Sequence, residues 1–168
     1  TDGRDTAPNM GTSYLGDLEA HLEGSNVRIA SVHGRYFAMD RDKRWERIAR
    51  SYAALTGAIV AKHPNAVAGV QAHYDQGVTD EFVEPFQIEG VDGLVRPGDV
   101  VLCFNFRTDR CREITQALTQ EAFEEHGMTP LDLHYVTMTN YDDSFKRVHV
   151  LYDKPNLVNT VGEVVSRA

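Results

Sequence analysis

The chain has 168 residues, a hydrophobic fraction of 42%, a charged fraction of 25% and a net charge of −8. This suits one domain with a real core and argues against a duplex nucleic-acid binder, which needs a basic face. No apolar run reaches the roughly 18 residues of a membrane span, and no basic-then-apolar leader precedes the first motif, so a cytoplasmic location is expected.

Helical and strand patterns alternate along the chain. Leu15, Leu18 and Leu22 share one helical face, with Gly24 as a stop. Val27 to Val32 reads as a buried strand. Asp42 is a candidate N-cap for a helix with Trp45, Ile48, Tyr52 and Leu55 on its apolar side and Gly57 at its end. Asn65 can cap the next helix, which carries Val67, Val70 and Tyr74 inward. Phe86 to Ile88 is a short strand candidate and Val100 to Phe104 a clear one. Thr108 or Asp109 starts a helix reaching toward Gly127. Leu133 to Met138 is the third clear strand, Val148 to Tyr152 a short one, and Asn159 to Ser166 a terminal helix. Strands separated by helices predict an α/β domain over residues 1–168: a mostly parallel open sheet with helices on both faces. The first residues look like the loop after a strand, and the last follow an apparent helix. The domain therefore reads as truncated at both ends, a piece of something longer.

Two arginine clusters stand at the carboxyl ends of predicted strands, where open α/β sheets bind ligands. They are Gly34-Arg35-Tyr36-Phe37-Ala38-Met39-Asp40-Arg41-Asp42 and Asn105-Phe106-Arg107-Thr108-Asp109-Arg110. A third motif, Asp2-Gly3-Arg4-Asp5, opens the chain. The guanidinium fork grips carboxylate and phosphate in two places at once, so several forks at strand ends suit a small anion with more than one acidic group. The competing reading is a set of local ion pairs, with Arg107 and Arg110 on Asp109, Glu113 or other acids, and Arg35 and Arg41 in a helix-start network. Asp40 and Asp42 are placed to orient the arginines, Lys43, Arg44, Arg47 and Arg50 are expected to form a solvated helix face, and Phe104 and Phe106 to serve as core and wall. Cys103 and Cys111 are unclustered, show no zinc or disulfide pattern, and read as small buried residues. His33, His134 and His149 lie in or beside strands without metal-ligand spacing, and no nucleophile with an adjacent base can be assigned.

These motifs closely resemble the cofactor-independent phosphoglycerate mutases. The resemblance includes Asp80-Glu81-Phe82-Val83, Val136-Thr137-Met138-Thr139 before Tyr141-Asp142, and Asn159-Thr160-Val161-Gly162-Glu163-Val164. It covers essentially the whole chain. The departures are Ala7 and Thr108 where Pro is common and Phe37 where Tyr is common; Thr108 as an N-cap could keep the loop geometry. The resemblance implies the central part of the phosphotransferase domain of a larger two-domain glycolytic isomerase. That domain holds 3-phosphoglycerate or 2-phosphoglycerate while a phosphoserine forms on an alkaline-phosphatase-like domain carrying two manganese or magnesium ions. It implies substrate contacts from Arg4, Asp5, Arg35, Arg41, Arg107 and Arg110, with Asp5 as the catalytic candidate, suited to the glycerate hydroxyls and to relaying a proton. The serine, the ligating histidine, the active-site lysine and the metal ligands all fall outside this chain, so no metal site is expected here; the net charge and the lack of an apolar run speak against nucleic-acid and membrane partners. The rivals from the residues alone are a free-standing phosphate- or carboxylate-binding module and, less favoured by the charge, an RNA-binding α/β domain.

Overall fold

The computed structural model describes residues 1–57, 61–153 and 158–167. The elements in order are α1 (Gly11–Leu22), β1 (Ser31–Val32), α2 (Arg35–Ala38), α3 (Trp45–Thr56), β2 (Lys62–His63), α4 (Ala66–Tyr74), β3 (Phe86–Ile88), β4 (Val100–Cys103), α5 (Arg112–Thr119), β5 (His134–Thr139), β6 (Val148–Tyr152) and α6 (Val161–Arg167). The α/β class holds, and parallel pairing dominates. The strands divide into two three-stranded sheets, ordered β1-β3-β2 and β4-β5-β6. Among the described strand pairs β1 with β3 is the antiparallel one, matching Ser31 to Gln87 and Val32 to Phe86.

Each sheet has its own core. In the second sheet Val101 pairs with Tyr135 and Cys103 with Thr137. The period of two turns Tyr135 and Thr137 inward. There Tyr135 meets Ile48 and Tyr52 of α3 and Ile114, Ala117 and Leu118 of α5. Its hydroxyl is not orphaned, because Thr115 Oγ1 lies 3.1 Å away. Val100, Leu102 and Leu151, at 73%, 55% and 53% exposure, stand on the opposite face in solvent rather than under a helix. The first sheet packs Val32, Phe86 and Ile88 against Ala66 and Val70 of α4. Phe86 lies so close to α4 that a Cβ on Gly69 would fall 2.2 Å from its ring, so glycine is what admits the ring.

Several boundaries differ from the sequence expectation. The strand over Val27 to Val32 shrinks to Ser31–Val32, and Val27 is 57% exposed. Asp42 does not cap α3; Arg44 occupies the cap position without a side-chain bond, and Asp40 takes the loop amides instead. Asn65 does cap α4, accepting from the Ala68 amide at 2.7 Å, and Gly57 ends α3 in the left-handed region at φ 107°. The helix expected from Thr108 to Gly127 forms only over Arg112–Thr119, followed by a 3₁₀ turn at Glu124–His126. Its start is delayed because the Asp109 carboxylate binds arginines rather than helix amides. Beyond Thr119, Phe123 stacks on Trp45 with ring centroids 3.9 Å apart, which draws the chain off the helical path. The strand Lys62–His63 was not expected, since it has no apolar pattern. Gly34 allows a close approach rather than an unusual turn. Its φ is −70°, but a Cβ there would lie 2.5 Å from the Val83 carbonyl oxygen.

Candidate functional site

The exits of β1 and β4 carry the two arginine motifs, and the first residues of the chain lie beside them. The Thr1 ammonium donates to the His33 carbonyl at 2.7 Å, and the Arg35 amide donates to the Thr1 carbonyl at 3.0 Å. This lacing brings Asp2 and Asp5 onto Arg35, whose Nη1 donates to both, at 2.5 and 2.7 Å. Arg35 starts the four-residue helix α2 and is only 8% exposed. Its fork is thus fixed before any ligand arrives. The bond from Arg35, then its charge, holds the Asp5 carboxyl below the usual range; Arg107 and Arg4 add to this.

The third motif is held from β5. Thr139 Oγ1 donates to the Phe106 carbonyl at 2.8 Å, and the Tyr141 hydroxyl donates to the Asn105 carbonyl at 2.5 Å. Both residues belong to the stretch Val136-Thr137-Met138-Thr139 before Tyr141-Asp142 that marks the resemblance, yet nothing in their spacing showed that they support this loop. Arg110 Nη1 donates to the Met39 carbonyl at 3.2 Å, tying the third motif to the second.

Asp5, Arg35, Arg107 and Arg110 line one cleft of about 490 Å³ with Phe104 and Phe106. Three distant stretches of sequence therefore converge on one concavity. Arg4 and Arg41 are not among the lining residues. Arg4 pairs with Glu81 at 3.7 Å, and Arg41 with Asp109 at 2.7 Å. Asp109 also takes Arg107 at 3.3 Å, so the expected local pairing is present for Arg107, whereas Arg41 pairs with an acid 68 residues away rather than in a network at its own helix start. Arg110 has no carboxylate partner among the described residues. Burial, then the charges of Arg35 and Arg41, pull its guanidinium below its ordinary value; Asp109 offsets part of this and Arg4 adds to it. Crowded cations around an unpaired guanidinium make a site that a bound anion would relieve.

Other expectations shift. Asp40 does not orient Arg35 or Arg41; Asp2 and Asp5 hold Arg35 and Asp109 holds Arg41. Arg47 is not a solvated side chain. It lies 3.8 Å from the centre of the Tyr36 ring and pairs with the buried Asp40 at 3.2 Å. Arg50 is half-exposed and pairs with Glu84 at 2.7 Å. Phe104 and Phe106, at 74% and 73% exposure, are wall and not core. Cys111 is buried and Cys103 half-buried. The two are not isolated: a hydrogen bond from Cys111 leads the causes that push the Cys103 thiol down to about 6. Among the described residues no group of three or more His, Cys, Asp or Glu could hold a metal ion, and no helix is long and apolar enough to cross a membrane.

The family model described as BPG-independent PGAM N-terminus matches residues 1–143. The 2,3-bisphosphoglycerate-independent phosphoglycerate mutase of Bacteroides fragilis is 50% identical over 166 residues, covering 98% of this chain and 33% of that protein. The corresponding mutase of Flavobacterium johnsoniae is 47% identical over 174 residues, covering 100% of this chain and 34% of its own length. A crystal structure of Leishmania mexicana phosphoglycerate mutase, at low cobalt concentration, superposes with a TM-score of 0.82 at 30% identity, over 99% of this chain and 33% of that one. The chain spans about a third of the length of these relatives. With this match running through all three arginine motifs, the chain belongs to the 2,3-bisphosphoglycerate-independent phosphoglycerate mutase family, in the part its family model describes as the N-terminus.

Proposed function

We propose that this chain is the substrate-holding part of a cytoplasmic glycolytic mutase, with residues 1–168 forming the central part of its phosphotransferase domain. The observation that carries the reading is the convergence of Asp5, Arg35, Arg107 and Arg110 on one cleft. 3-Phosphoglycerate and 2-phosphoglycerate each carry a phosphate and a carboxylate, and forks on opposite sides of a cleft can engage both at once. Arg4 and Arg41 stand at the margin. Arg41 would exchange its Asp109 partner for substrate as the cleft fills.

Asp5 accepts hydrogen bonds from the glycerate hydroxyls. A carboxyl held below its usual range is a poor base near neutral pH, so its role leans toward orientation rather than proton relay. The chain's contribution to catalysis is positioning: it retains and reorients glycerate between two half-reactions. Phosphoryl transfer belongs to a serine and to manganese or magnesium ions on an alkaline-phosphatase-like domain of the same parent protein. Among the described residues no group of three or more His, Cys, Asp or Glu could hold those ions.

NMR titration of the chain with 3-phosphoglycerate tests the reading. Shifts should cluster at residues 2–5, 35–41 and 105–110. Shifts centred on the separate concavity of about 610 Å³ between α1 and Asn65, Ile88 and Val91 would overturn it.

A further inference from the structure

Two buried carboxyls lie between the arginine loops and belong to neither set of ligand-facing side chains. Asp40 directly precedes Arg41, and Glu113 is in the first turn of α5, just after Arg110; each is 5% exposed. Asp40 Oδ2 accepts from the amides of Asp42 at 2.9 Å and Arg44 at 3.0 Å, and its Oδ1 accepts from Arg47 Nη1 at 3.2 Å. Glu113 Oε1 accepts from the Lys43 amide at 2.8 Å. Three successive amides of one loop are thus held by two carboxyls from different elements. Lys43 has φ 58°, a left-handed conformation that is unfavourable for a non-glycine residue. Those bonds are what keep it there.

The charge balance is uneven. Two carboxylates would be buried against one cation, Arg47, with Asp42 adding a further negative charge. Like charges at this range cannot both ionise cheaply. Glu113 Oε2 is buried with no hydrogen-bond partner among the described residues, and the Asp40 carboxyl lies close enough for each to shift the other. A proton on Glu113 supplies the missing donor.

We propose that Asp40 and Glu113 share one proton and act as positioning residues, locking the loop that carries Arg41 to the helix that follows Arg107 and Arg110. Arg41 then keeps its place on Asp109 at the margin of the cleft only while the pair is protonated once. Burial, partly offset by the Lys43 amide and reinforced by Asp40, pushes Glu113 up to about 7. Burial opposes ionisation of Asp40 as well, but the amides of Arg44 and Asp42 and the bond from Glu113 outweigh it and hold Asp40 low. The midpoint belongs to the pair, since the two sites titrate together. Loss of the shared proton sets Asp40 and Glu113 against each other and loosens residues 40–44. The consequence for substrate rests on the arginine cleft being the anion site; the pair itself does not.

The test is a ligand-free NMR titration of the chain, following the Glu113 carboxyl carbon and the amides of Asp42, Lys43 and Arg44. Glu113 should titrate with a midpoint at about 7, and the three amides should shift with the same midpoint. Glu113→Gln, which can still accept from Lys43 and donate to Asp40, should leave those amides flat over the range. A wild-type Glu113 midpoint near the ordinary value of about 4.3, or amides that move independently of it, would sink the proposal without any variant. A second arm compares 3-phosphoglycerate affinity below and above the midpoint in wild type and Glu113→Gln. The ligand's own phosphate titration cancels in that ratio, and only wild type should lose affinity through the pair. If no phosphoglycerate binds at either pH, the anion-cleft reading fails, and the ligand-free titration still decides the pair.

Discussion

Arg35→Ala tests the cleft most directly. Arg35 is 8% exposed and donates to Asp2 and Asp5, whose side chains are 36% and 73% exposed. Removing it does two things: a fixed donor facing the ligand disappears, and two carboxylates lose their counterion on the same wall. Charge-assisted hydrogen bonds contribute about 1.5–3 kcal/mol. Losing one such contact to the anion, with Asp2 and Asp5 then repelling it, should cost about 2–3 kcal/mol of binding, roughly a factor of 30 to 150. Stability should fall less, by about 1–2 kcal/mol, because both acids keep access to water. Arg50→Ala is the control. Arg50 and Glu84 are both about half-exposed, at 52% and 56%, and such pairs contribute about 0–1 kcal/mol. Calorimetric titration with 3-phosphoglycerate and urea denaturation of the same variants give both quantities. Equal affinity for Arg35→Ala and wild type, or equal losses in Arg35→Ala and Arg50→Ala, would refute the clamp. In the longer parent protein, Arg35→Ala and Arg107→Ala should each cost about 2–4 kcal/mol of transition-state stabilisation.

Phosphoglycerate affinity of the chain alone should be weak, roughly millimolar, and should drop with added salt because the cleft is open to screening ions; tight, salt-insensitive binding in calorimetry would contradict an open half-site. The chain by itself should show no mutase turnover in a coupled assay with manganese present, and turnover that survives further purification would overturn the assignment of chemistry to another domain. Cys103 should alkylate with a midpoint at about 6, well below the ordinary thiol value of about 8.5. Burial works against this, but the Cys111 hydrogen bond, the Tyr141 hydroxyl at 3.4 Å and the Asn105 amide favour the thiolate. Tyr141→Phe should raise that midpoint, and mass spectrometry showing Cys103 and Cys111 reacting alike would show that the thiolate is not held. Acid should weaken the chain through Asp109. Burial raises its proton affinity, but the bond from Arg41, its own backbone amide and the charge and bond of Arg107 outweigh this and leave it low, so its contribution is present above the ordinary Asp range and is lost as pH falls through the lowered value. Asp109→Asn should flatten the acid limb of a thermal-denaturation profile, and an unchanged limb would count against the pairing.

Much of this was legible before any coordinates. The alternation of apolar runs and helical stripes gives the α/β class, because side-chain periods of two and 3.6 are local properties of the chain. The arginine motifs are contiguous, so their chemistry could be read as short strings, and Asn65 and Gly57 act as caps through bonds and torsions within a few residues. What tertiary structure decided depends on partners far apart in sequence. Asp42 has the right chemistry to cap α3, but Asp40 is the acid the fold buries beside Arg47, so it takes the loop amides. Arg41 and Arg35 look alike as strings, yet one meets Asp109 and the other Asp2 and Asp5, which leaves the first half-exposed and the second buried. Thr139 and Tyr141 hold the third motif through carbonyls more than 30 residues away. The meeting of Asp40 with Glu113 likewise exists only once α3 and α5 pack together. A periodicity records which face of an element is apolar; which charge lies opposite which across a cleft is set by how the elements pack.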